Sequence, residues 1–207
     1  MMNPKRKTEL KAILFDLDGF IVDSFDAWHS VINETRKKYK LKTFSKEEYR
    51  KRGWSKPLEV EVAKTFDEQD TKKISNEIKA KVKGHIDKIQ LLPGAKEVLE
   101  KIHNKKYKIG LVTNNYTNLV NKILNRHKIK KYFDAIVTFD DVEKPKPYPD
   151  SILKVCKKLK VETDETMYIG DAKVDYKAGK SAGCFVVGFN THGDLIISKL
   201  KDLLELI

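Results

Sequence analysis

Two aspartates two residues apart, Asp16 and Asp18, follow the apolar run Ala12-Ile13-Leu14-Phe15 and precede Gly19. Crowding two carboxylates where a buried strand emerges costs free energy unless a cation or a shared task compensates. Thr113-Asn114-Asn115 closes a second apolar run and offers a hydroxyl, amides and free backbone N–H groups able to receive an anion at a helix start. Lys146 stands in Lys144-Pro145-Lys146-Pro147-Tyr148-Pro149-Asp150, where prolines stiffen the backbone and present the ammonium rigidly. Gly170-Asp171 ends the run Met167-Tyr168-Ile169, and Asp175, one helical turn on, can face the same spot. Singly, each cluster reads as punctuation: turn aspartates, an N-cap, a stiff turn, acids favoured by a helix macrodipole.

The elements that must position these groups are legible in the hydropathy pattern. Ala12 to Phe15 has the length of a buried parallel strand, and from Asp23 to about Gln90 the periodicity is helical, with no strand expected. Its apolar stripes are Trp28, Val31, Ile32, Thr35 and Tyr39, then Leu58, Val62 and Phe66, then Ile74, Ile78, Val82, Ile86 and Ile89. After Pro93-Gly94, strands at Lys108–Thr113, Phe133–Thr138, Thr166–Ile169 and Cys184–Gly188 alternate with helices, and a closing helix is expected from Asp194. Such alternation means βαβ units and a parallel sheet covered on both faces. The expected fold is α/β, with residues 1–21 and 91–207 as one discontinuous domain and residues 22–90 as an inserted all-helical cap, placed like a lid over the crevice at the strand ends.

Placing every cluster at a strand end brings Asp16, Asp18, Thr113, Lys146, Asp171 and Asp175 to one edge of one sheet. Four carboxylates there repel, and a hard divalent cation bound through oxygen is the economical remedy. Mg²⁺ fits best, because it takes a few carboxylates plus waters and a phosphate oxygen. The motifs Phe15-Asp16-Leu17-Asp18-Gly19-Phe20-Ile21-Val22-Asp23-Ser24, Val112-Thr113-Asn114, Lys146-Pro147-Tyr148-Pro149-Asp150 and Gly170-Asp171 with Asp175 stand in an order and spacing that resemble the haloacid dehalogenase superfamily. The likeness is to members with a helical cap inserted after the first motif, on the branch of phosphoglycolate phosphatase and β-phosphoglucomutase, and it covers nearly the whole chain.

The resemblance implies a Rossmann-like, doubly wound sheet of order 3-2-1-4-5. It implies that Asp16 attacks phosphorus and forms an aspartyl phosphate, while Asp18 protonates the departing oxygen and then deprotonates the hydrolytic water. Asp18 then needs a raised pKa, which burial and neighbouring carboxylates can supply. Thr113 and the Asn114 backbone would hold phosphoryl oxygens, Lys146 would neutralise Asp16 and the transferring group, and Asp16, Asp171 and the Asp18 carbonyl would ligate Mg²⁺. Asp175 would orient the metal's water shell. An acid at position 18 marks the phosphatases of the family, since a departing halide needs no proton. Two residues depart from the family's pattern: Phe20 replaces a small or β-branched residue and is expected to narrow the entrance, and Ala172 replaces a hydroxyl.

Within the cap, the interruption Lys51-Arg52-Gly53-Trp54-Ser55-Lys56 is the expected specificity loop. Arg52 or Lys56 is a candidate to meet a second anionic group, with Gly53 in the same loop and Trp54 as a wall. The expected partner is thus a small phosphorylated metabolite such as phosphoglycolate, a sugar phosphate or a nucleotide. A phosphomutase is the near alternative, differing in whether water or a sugar receives the phosphoryl group. A nucleic-acid-binding protein on an inactive fold is the distant one, motivated by the net charge of +12. Only five of the 42 basic residues are Arg, the residue suited to bidentate phosphate and base contacts, which argues against it. Two cysteines without CxxC spacing read as buried thiols in a reducing compartment. Met1 to Lys7 is basic with no signal-like apolar stretch behind it, and no run approaches the roughly 18 residues of a membrane span. A cytoplasmic protein is expected, with its oligomeric state open.

Overall fold

The computed structural model describes residues 9–52, 54, 57–66 and 70–207. The Met1–Lys7 segment, Gly53 and Lys56 therefore lie outside the described residues. In chain order the elements begin with β1 (Ala12–Phe15) and the two-residue β2 (Val22–Asp23), followed by α1 (Phe25–Lys38), α2 (Lys46–Arg52), α3 (Leu58–Thr65) and α4 (Thr71–Val82). The two-residue β3 (Gln90–Leu91) precedes α5 (Ala95–Asn104), β4 (Lys108–Val112), α6 (Thr117–Arg126), β5 (Ala135–Val137) and α7 (Asp150–Leu159). β6 (Thr166–Gly170), α8 (Lys173–Ala182), β7 (Phe185–Phe189) and β8 (Leu195–Ile197) complete the chain.

Two compact units result, one running to Asp23 and resuming at Leu91, the other Ser24–Gln90. In the first, six parallel strands stand in the order β5-β4-β1-β6-β7-β8. β1 is central and wholly buried because both faces carry helices, so all four of its residues can be apolar. Helices α7 and α8 bury Ile152, Val155, Cys156, Leu159, Ala178 and Ala182 in a core shared with Leu14, Val112, Val137 and Tyr168. Both cysteines are free and buried in that core.

The end of the chain differs from the expected closing helix. Leu195–Ile197 instead pairs with β7 as a sixth, edge strand, and a 3₁₀ segment, Leu200–Glu205, follows. Asp194 explains it: its N–H donates to the Val186 carbonyl and its Oδ2 accepts the Val186 N–H at 2.9 Å, which lays the next three residues, two of them β-branched, along β7. The expected absence of strands in the insert is also corrected, at its margins alone, where β2 and β3 form a two-residue ladder.

The second unit buries its stripes much as the periodicity requires, with α4 packed on α1 and α3. Helix α4 ends at Val82, so Ile86 falls in a 3₁₀ segment, Lys83–Lys88, kinked at His85. Arg36 is buried and donates to the carbonyls of Lys42 and Thr65, with its guanidinium 3.9 Å from the Phe44 ring centre, so this cation serves packing within the insert. Among the described residues no helix is long and apolar enough to cross a membrane.

Candidate active site

Register decides which side chains meet. Phe15 pairs with Leu111 of β4 and with Ile169 of β6, so the next residues out, Asp16, Thr113 and Gly170-Asp171, share one sheet edge. The Asp16 N–H continues the ladder to the Ile169 carbonyl at 2.9 Å. Beyond it the chain turns back on itself, with Gly19 donating to Val22 and Val22 donating to Leu17. Gly19 has φ +80°, and a Cβ there would stand 1.9 Å from Asp171 Oδ2. Gly170 is constrained similarly, since its Cβ would lie 2.4 Å from that of Asp175. Glycines allow the two acidic loops to close on each other.

Lys146 is the hub. It is 2% exposed, and its Nζ donates to Asp16 Oδ1 at 2.7 Å, to Asp175 Oδ1 at 2.6 Å and to the Tyr168 hydroxyl at 3.1 Å. Its backbone is clamped by the Asn114 side chain, whose Nδ2 donates to the Lys146 carbonyl and whose Oδ1 accepts the Lys146 N–H. Asn114 was expected to act through its backbone; its side chain has this second task. The Thr113 hydroxyl is buried and accepts the Asn115 N–H at 3.0 Å, and as a hydroxyl it still has a proton to donate.

Asp175, in the first turn of α8, accepts three hydrogen bonds: from Lys146 and Tyr168 at Oδ1, and from the Ala172 N–H at Oδ2. The last needs only a backbone donor, so the absent hydroxyl at position 172 costs this cap nothing. Oxygens of Asp16, Asp171 and Asp175 lie within 4.8 Å of one another. An all-oxygen set of this charge and spacing fits a hard divalent cation. The Asp18 side chain is not in that set; its Oδ2 accepts from Asn115 Nδ2 at 3.1 Å.

Electrostatics show how costly the arrangement is without such an ion. Burial pushes the Asp16 carboxyl well above the usual range, Lys146 pulls it back, and Asp175, Asp171 and Asp18 push it further up. Asp171 is pushed up to about 7 by burial and by the charge of Asp175, against the pull of Lys146. Burial alone would depress the Lys146 ammonium, but the Asp16 and Asp175 charges raise it. The Tyr168 phenol is held well above its ordinary value by burial and by Asp175, so it remains a protonated donor.

Tyr168 and Asn115 are the members that sequence reasoning did not assign. A hydroxyl on a strand buried throughout must find a partner, and that was the available signal for Tyr168. Phe20 corrects a third expectation. It does not narrow an entrance: it is fully buried, stacked on Phe15 at 5.7 Å and edge-on to Phe189 at 5.2 Å, as part of the core. In the insert, Lys51 and Arg52 belong to α2, so the interruption begins after Arg52. Trp54 is seated against Phe25 at 5.1 Å and Tyr49 at 6.2 Å.

Residues 13–189 match the family model of haloacid dehalogenase-like hydrolases. The chain is 26% identical over 210 residues to pyrophosphatase PpaX of Oceanobacillus iheyensis, covering 96% of this chain and 97% of that one. It is 28% identical over 222 residues to a phosphoglycolate phosphatase of Vibrio parahaemolyticus, covering 96% of each. A Lactobacillus plantarum crystal structure ascribed to a phosphoglycolate phosphatase superposes with a TM-score of 0.89 at 21% identity, over 97% of this chain and all of that one, which establishes the fold. With the aspartate pair, the threonine, the buried lysine and the second acidic pair gathered at one sheet edge, this chain belongs to the haloacid dehalogenase-like hydrolases.

Proposed function

We propose that the protein is a Mg²⁺-dependent phosphatase that hydrolyses a small phosphate monoester or pyrophosphate through an aspartyl phosphate on Asp16. The observation that carries this is the buried Lys146–Asp16 pair inside the Asp16, Asp171 and Asp175 cluster. A buried ion pair gains little stability over apolar packing, so its presence is better explained by chemistry than by folding.

Lys146 occupies Oδ1 of Asp16, which leaves Oδ2 to attack phosphorus. The bond from phosphorus to the ester oxygen breaks as the Oδ2–phosphorus bond forms, and Asp18 gives its proton to the departing oxygen. Water then attacks phosphorus, its proton passes to Asp18, and the acyl-phosphate bond breaks to restore Asp16. Thr113 and the Asn114 N–H, which has no partner among the described residues, hold the phosphoryl oxygens. Asp16, Asp171 and the Asp18 carbonyl would hold Mg²⁺, and Asp175, which already accepts three hydrogen bonds, would orient water beside it. When bound, the ion supplies positive charge that keeps Asp16 ionised and offsets charge on the phosphoryl group.

Phosphoglycolate and inorganic pyrophosphate are the first substrates to try, since proteins similar to this one bear those names. Phosphate release from at least one member of an ester panel, dependent on Mg²⁺ and lost in Asp16→Asn, is the expected result. No metal-dependent release from any ester, or isomerised sugar phosphate in place of free phosphate, would contradict the hydrolase reading.

Two further outcomes concern the metal. The folded protein holds a proton at Asp171 between its ordinary value of 3.8 and about 7, where the unfolded chain has released it. Metal-free protein should therefore lose stability as pH rises through that window. Carboxylates with lowered values, such as Glu77 and Asp141, gain stability only as pH rises towards their ordinary values of 4.5 and 3.8, so they do not mask the trend above pH 5. Melting curves at pH 5 to 8 should show Mg²⁺ raising Tm most at pH 8, and Asp171→Asn should flatten the metal-free slope. Gly19→Ala should remove the Mg²⁺-induced rise in Tm and cost about 1–2 kcal/mol, because the left-handed backbone and the Asp171 carboxylate both exclude a Cβ. An unchanged Mg²⁺ response in that variant would place the ion elsewhere.

A further inference from the structure

We infer that Asn115 is a positioning residue that holds the Asp18 carboxyl in its proton-transfer pose, an inference that rests on the acid–base role given to Asp18 above. Asn115 is 5% exposed and anchored at three points besides Asp18. Its backbone N–H donates to Thr113 Oγ1 at 3.0 Å, its carbonyl accepts the Phe139 N–H at 3.0 Å, and its side-chain Oδ1 accepts the Tyr116 N–H at 3.1 Å. A backbone N–H can only donate, so Oδ1 must face Tyr116 and the NH₂ group must face Asp18. The 3.1 Å bond to Asp18 Oδ2 is therefore a directed one, set by contacts that do not involve Asp18.

The placement matters because Asp18 stands in a loop, partly exposed, three residues beyond the end of β1. A carboxyl that must give up a proton in one half-reaction and take one in the next gains from being held at one oxygen. An NH₂ group offers only protons, so it engages Oδ2 as an acceptor in either state and favours Oδ1 as the oxygen that carries the exchangeable proton. The same loop carries Thr113, so one segment sets both a phosphoryl contact and the acid.

The test uses leaving groups. 2,4-Dinitrophenolate departs without a proton, whereas phenolate needs one. In Asn115→Leu, with full-length protein and saturating Mg²⁺, the burst of dinitrophenol from 2,4-dinitrophenyl phosphate should keep a near wild-type rate. The burst from phenyl phosphate should slow by about 10- to 10²-fold. Asp18→Asn, run in parallel, should show the same pattern more strongly. Asn115→Asp keeps the shape and the Tyr116 acceptor but loses the donor, and should show the same selective slowing of phenyl phosphate, which keeps the test in hand where the leucine variant fails to fold. If Asp18→Asn discriminates between the esters while both Asn115 variants slow them equally or not at all, the inference is overturned. If Asp18→Asn itself does not discriminate, the acid–base role of Asp18 fails first.

Discussion

Asp16→Asn should lower phosphate release by roughly 10⁴-fold or more while leaving the protein folded, and in the absence of metal no less stable than wild type. An amide oxygen is not a competent nucleophile towards phosphorus, so no aspartyl phosphate can form. Packing is conserved, because Asn matches Asp in shape, and Lys146 keeps its bonds to Asp175 and Tyr168. Stability is spared because the substitution removes one of the charges that burial and neighbouring carboxylates disfavour. Phosphate-release kinetics alongside thermal melts check both halves. Lost activity with an unfolded protein would make position 16 structural, and retained activity would remove the nucleophile from the mechanism.

Lys146→Met should be damaging in both respects, which separates it from Asp16→Asn. Removing the ammonium leaves Asp16 and Asp175 buried and facing each other, and breaking a buried pair in this way costs about 3–5 kcal/mol. The loss should be greatest near pH 8. Burial already raises the Asp16 carboxyl, and without the Lys146 charge that pulls it back it holds its proton to still higher pH, so the variant loses stability as pH rises and recovers part of it towards pH 5. Turnover should fall about 10²- to 10³-fold, the scale of one lost charge-stabilising donor. Urea titrations at pH 5 and pH 8 measure the first effect and single-turnover rates the second. Equal stability at both pH values would mean that the ammonium does not compensate these carboxylates.

The alternation of apolar runs and helical stripes after Pro93 made the parallel sheet legible, and strand-end placement made Asp16, Thr113, Lys146, Asp171 and Asp175 legible as neighbours. That worked because a parallel sheet sends the ends of all its strands to one edge. What the pattern could not show is which donor turns towards which acceptor. Asn114 and Asn115 are adjacent and chemically identical, yet one clamps the Lys146 backbone and the other holds Asp18, a difference set by loop dihedrals. Tyr168 looked like core because a buried phenol fills space as phenylalanine does. Leu195–Ile197 was read as helix because three apolar residues carry no period, and the Asp194 contacts that lay them along β7 are tertiary. Phe20 was read against a family pattern, whereas its environment is set by Phe15 and Phe189.

The most direct measurement is a rapid acid quench of the enzyme turning over 2,4-dinitrophenyl phosphate with Mg²⁺, followed by peptide mass spectrometry. The expected result is one phosphoryl group on the peptide containing Asp16, appearing no later than free phosphate and missing in Asp16→Asn. Steady phosphate release with that peptide unmodified at every time point would contradict covalent transfer through Asp16.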